Sequence, residues 1–134
     1  MSISDVLIPE LRAKFADRGL RCGSSPDPIA VFPAQCEGLD DLKILDDGDE
    51  VTIYLGDVTH GHVNPYEEAT TSEAAARWIT TEVVEFLEEL FEDRVVFWGI
   101  REGGSGGWQM SFNGDIPRSI PREAEVFVWS RRLR

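Results

Sequence analysis

Six consecutive residues, Asp57-Val58-Thr59-His60-Gly61-His62, contain both histidines of the chain. Histidine titrates near neutrality, so it can serve as a metal ligand or as a general base. If the strand before the pair runs on through it, Asp57 faces away from the histidines. His60 and His62 then project together on the side of Tyr54, because residues two apart in a strand share a face. Two imidazoles so placed can share a metal ion, with Glu67 or Glu68 completing the set. The plainer reading is two part-exposed histidines at a strand end, with Gly61 present for backbone reasons. A zinc site from Cys22, Cys36, His60 and His62 has suitable ligand types but lacks CxxC or HxxxH spacing.

One other run invites chemistry less strongly. Gly103-Gly104-Ser105-Gly106-Gly107 can cradle an anion through backbone N–H groups. It lacks the lysine and following helix of a phosphate-binding loop, and it reads more readily as a flexible hairpin tip between Arg101 and Trp108. Gly104-Ser105-Gly106 lies between strands, which is the wrong context for a nucleophilic serine.

The third candidate is a surface. Ala75, Trp78, Ile79, Val83, Phe86, Leu87, Leu90 and Phe91 recur at helical spacing within 72–93. Thr70 with Glu73 reads as a capping box, with Thr71 or Ser72 as alternative caps. The polar face carries Glu82, Glu85, Glu88, Glu89, Glu92 and Asp93 towards the C-terminus, where carboxylates oppose the helix dipole. Arg77 and Arg94 offset this only in part. Such a face is either the solvated side of an acidic protein or a docking surface for a basic partner.

The elements that must position these groups follow from pattern. Residues 5–18 read as a first helix, regular from about Ile8, with Pro9 in its first turn and Gly19 just past its end. Short strands follow at 29–35, 42–46 and 50–58, with a tight turn at Asp47-Gly48. In the last of these, Val51, Ile53 and Leu55 alternate with Thr52, Tyr54 and Gly56, the mark of a half-buried antiparallel strand. Residues 60–71 read as a loop. After the central helix, strands are expected at 95–101, 108–113 and 124–130, with 131–134 a frayed end. The expectation is a single α+β domain over 1–134: a two-layer sandwich of two helices on an antiparallel sheet, in the order α-β-β-β-α-β-β-β. Without βαβ alternation or a Gly-rich strand-to-helix turn, Rossmann and phosphate-loop sites are poorly supported. Aromatics occupy both parities of the later strands, so both faces there must be covered, or one must serve as a homodimer contact or ligand groove.

Charge bounds the partners. The 134 residues carry a net charge of −12. Residues 37–93 hold 17 acids against Lys43 and Arg77, and residues 94–134 hold four acids against seven arginines. That field repels nucleic acid and anionic lipid and attracts basic proteins or metal cations. No signal peptide, and no apolar run long enough to span a membrane, is visible. A cytoplasmic protein with Cys22 and Cys36 as free thiols is expected. The leading expectation is a non-enzymatic interaction module that binds a basic protein through Glu82–Asp93 and Asp46–Glu50. Immunity proteins, inhibitors and secretion chaperones have this general character. The alternative is a metal- or histidine-dependent enzyme centred on His60 and His62, whose cofactor the sequence leaves unspecified.

Overall fold

A computed structural model describes residues 2–65, 71–111, 113 and 115–134. Helix α1 (Ile3–Phe15) opens on a capping box: Ser2 Oγ accepts from the Asp5 amide at 3.3 Å, and the Asp5 carboxylate accepts from the Ser2 amide at 3.0 Å. The helix therefore starts well before Ile8, and Pro9 sits in its interior. Pro9 is exposed there, and it cannot donate to the Asp5 carbonyl one turn earlier. Ile3, Leu7, Leu11 and Phe15 form the buried stripe. Gly19, at φ +74°, ends the following 3-10 turn in the left-handed conformation its position suggested.

Helix α2 (Ser72–Phe91) is capped by Thr71, whose side chain accepts from the Ala74 amide at 3.0 Å. Thr70, the first expected cap, lies outside the described residues. Ile79, Val83, Leu87 and Leu90 are fully buried, while Trp78 and Phe86 are half-buried at the edge of the stripe. Asp93 adopts φ +60° just past the helix, and its carboxylate accepts from the Ser130 amide and hydroxyl. This acid ties the end of α2 to the C-terminal strands.

The α+β class, the antiparallel pairing and the helix–strands–helix–strands order all hold. The strands divide between two sheets. The first is a meander of β1 (Arg21–Cys22), β2 (Ala30–Phe32), β3 (Leu42–Asp46), β4 (Val51–Leu55) and β5 (Thr59–Val63). The second joins β6 (Val95–Ile100), β7 (Ser105–Met110), β8 (Glu125–Val128) and β9 (Arg131–Arg132) in the order β7-β6-β8-β9. β5 occupies part of the expected 60–71 loop, and β9 part of the expected frayed end. β7 starts at Ser105, so half of the glycine run is strand and the turn is confined to 101–104.

One main core joins both helices to the inner faces of both sheets. Phe15, Phe32 and Phe91, from α1, β2 and α2, pack edge-on with ring centroids 5.1–6.1 Å apart. Phe97, Phe127 and Trp129 belong to this core. On the other face of the second sheet, Val96, Val126 and Val128 pack with Ile120 and Ala124, and Trp98 and Leu133 join them. The second sheet is thus covered on both sides, the outer side by the chain's own 116–124 crossing. That accounts for aromatics at both parities.

The two sheets meet where side chains are absent. A Cβ on Gly61 of β5 would lie 1.9 Å from Trp108 of β7, and one on Gly99 of β6 would lie 2.3 Å from the Val58 carbonyl oxygen. Gly61 is there for the space under an indole, not for an unusual backbone.

Candidate functional site

The β4–β5 hairpin sets Thr52 opposite His62 and Tyr54 opposite His60. Leu55 and Thr59 face each other across Gly56-Asp57-Val58, and the alternation then sends Tyr54, His60 and His62 outward, with Val51, Ile53 and Leu55 in the core. Both histidines are exposed, and their ring centroids lie 5.6 Å apart. The Tyr54 ring is 5.3 Å from that of His60. The sequence expectation that the pair shares a side with Tyr54 holds.

Around His62 the hairpin builds a relay that sequence reasoning missed. The Thr52 hydroxyl donates to the Asp47 carboxylate at 2.5 Å, and the same oxygen lies 2.9 Å from His62 Nδ1. Glu50 Oε2 lies 3.5 Å from that nitrogen. A hydroxyl has one proton to give. With it committed to Asp47, the Thr52 oxygen can only accept from His62, so Nδ1 carries the hydrogen. The Nε2 lone pair is left for a proton or a metal. Long-range proton–nitrogen NMR correlations of the neutral His62 ring are expected to show the Nδ1–H tautomer. Thr52→Val should move it towards Nε2–H, and an Nε2–H pattern in the unaltered protein would contradict the relay. The missing signal was register: once the turn is fixed at 56–58, Thr52 must face His62.

Glu67 and Glu68, the expected further ligands, lie outside the described residues. Among the described residues, no group of three or more His, Cys, Asp or Glu is placed to hold a metal ion, so the four-ligand set with Cys22 and Cys36 is not assembled. Both cysteines are free, and burial pushes the Cys36 thiol pKa up.

Glu82, Glu85, Glu88 and Glu89 of α2, with Glu92 at its C-cap, lie on the helix side turned from Ile79, Val83 and Leu87. Two are engaged. Arg94 donates to Glu89 through Nε at 2.6 Å and Nη2 at 3.1 Å, and this fork holds the Glu89 carboxyl below the usual carboxylate range. Glu88 lies 3.9 Å from Lys14 of α1. Among the described residues, Glu82, Glu85 and Glu92 have no ion-pair partner. Beside them, an open groove of about 570 Å³ runs between α1 and α2. Val6 and Val84 form its apolar part, and its wall carries the acids Glu10, Glu85 and Glu88 together with the cations Lys14 and Arg77.

The second acidic run is spent internally except for exposed Asp49. Asp46 accepts from the Ser4 hydroxyl at 2.7 Å and from the Gly48 amide at 2.9 Å, and Asp47 and Glu50 serve the relay. Arg101, another group missed from sequence, reaches Glu125 at 3.0 Å, the Gly38 carbonyl at 3.1 Å, and Asp57. Gly103 and Gly104, at φ +102° and +70°, make the turn beside it.

No helix among the described residues is long and apolar enough to cross a membrane. No family model, curated protein or solved structure matches this chain.

Proposed function

We propose that this chain is a non-enzymatic interaction module whose α2 glutamate face docks a basic segment of another protein, in the manner of an inhibitor, an immunity protein or a chaperone. The observation that carries the reading is the unequal use of the acids. Asp46, Asp47 and Glu50 are bound within the fold, whereas Glu82 and Glu85, among the described residues, have no ion-pair partner on one helix face. Carboxylates near a helix C-terminus cost about 0.3–1 kcal/mol each when exposed. A cationic partner repays that cost and is steered in by the field. The adjacent groove offers an aliphatic stem the Val6 and Val84 surface, and a cationic head there would compete with Lys14 and Arg77 for Glu10, Glu85 and Glu88.

The free thiols of Cys22 and Cys36 suit a reducing compartment, and we place the module in the cytoplasm. A homodimer through the later strands is a second proposal. Met110, 45% exposed on edge strand β7, favours it.

Capture from native lysate tests the main reading. Wild-type protein is expected to retain a basic partner at low salt and release it at high salt, because exposed ion pairs are screened. Changing Glu85, Glu88, Glu89 and Glu92 together to lysine should abolish capture. Equal capture by the variant would contradict it.

A further inference from the structure

We propose that His60 and His62 form a two-imidazole clamp for a first-row divalent cation such as Ni²⁺, Cu²⁺ or Zn²⁺, with Thr52 as its positioning residue. The inference stands apart from the docking surface on α2.

Three features carry it. The imidazoles project from one strand face with centroids 5.6 Å apart, and both are exposed, so an ion reaches them from solvent. The Asp47–Thr52–His62 relay holds the hydrogen on Nδ1 and so leaves the Nε2 lone pair of an exposed ring uncommitted. Metal-ligating histidines characteristically donate their other ring N–H to a fixed acceptor, which sets the tautomer and raises ligand basicity. Finally, Gly61 pins the intervening residue beneath Trp108, which keeps His60 and His62 on the same face. The ligand type selects the ion: imidazole suits nickel, copper and zinc, whereas calcium and magnesium take oxygen ligands. Two protein ligands leave the other coordination positions to water or to a group on a partner.

Ni²⁺ is the probe, because it binds imidazole without oxidising Cys22 and Cys36. Untagged protein is titrated by calorimetry, and paramagnetic broadening is followed by NMR. The expected result is one equivalent of Ni²⁺, with broadening centred on β4 and β5. His60→Ala and His62→Ala should each remove the binding; both positions are exposed, so the fold should survive, as circular dichroism can check. Thr52→Val should weaken binding by about 10–100-fold, the usual cost of losing such an outer partner. Thr52→Ser, which keeps the hydroxyl, should restore it. Absence of saturable binding, or equal binding by either histidine variant, would overturn the site. Equal affinity in Thr52→Val would overturn the positioning role.

Discussion

Gly61→Ala is expected to destabilise the fold by about 1–3 kcal/mol, the usual range for forcing an extra carbon into a filled space. The new Cβ would sit 1.9 Å from Trp108 Cη2, well inside contact distance. The indole must then swing out, losing its packing against Phe86, whose ring centroid is 5.1 Å away. Gly99→Ala should behave similarly, and there the obstacle is the Val58 carbonyl at 2.3 Å, which is backbone and has no rotamer to yield. Denaturant unfolding measures both losses. The Gly61 effect should couple to Trp108: in a double-mutant cycle with Trp108→Leu, the pair should deviate from additivity by about 1 kcal/mol or more. Additive effects would show that the indole is not what Gly61 accommodates. The tightness of this seam matters for function, because it fixes the faces of β5 and hence the histidine pair.

Glu85→Lys is expected to stabilise the protein while weakening partner capture. Glu85 has Glu82, Glu88 and Glu89 as its helical neighbours three and four residues away. Each like-charged pair costs about 0.2–0.5 kcal/mol, and reversal makes each attractive. The sum is roughly 1–3 kcal/mol, a rise of several degrees in melting temperature for a domain of this size. Thermal unfolding at low salt measures it, and added salt should shrink the gain. The bland reading of the acidic face predicts the same stabilisation. Only the docking reading predicts that the stabler variant loses its partner, by about tenfold or more through slower association. A variant that is stabler and binds equally well would return Glu85 to a merely solvated role.

The α2 stripe and the alternation of Val51, Ile53 and Leu55 were legible because each is a local pattern with its own period. Gly19 was legible for the same reason. Pro9 misled: its penalty inside a helix is real, but Ser2 with Asp5 caps the segment, and Ile3 and Leu7 bury against the core. β5 was hard to see because THGHV has little apolar signal; its partner is β4, and its inner face is a glycine under a tryptophan. The division into two sheets depends on that contact, which joins residues far apart in the chain. For the candidate site, the shared side of His60, His62 and Tyr54 could be read from spacing. Asp47, Thr52 and Glu50 could not, because they reach His62 only through hairpin register and a folded-back turn.

Zero-length carbodiimide cross-linking in native lysate at low salt, read by mass spectrometry, tests the docking claim most directly. The reagent joins a carboxylate to a lysine amine only where the two are in contact. Cross-links from Glu82, Glu85 and Glu92 to lysines of one basic protein, lost at high salt, are the expected result. Cross-links running instead from Asp49 and the 46–50 turn, or none from α2 to any partner, would contradict it.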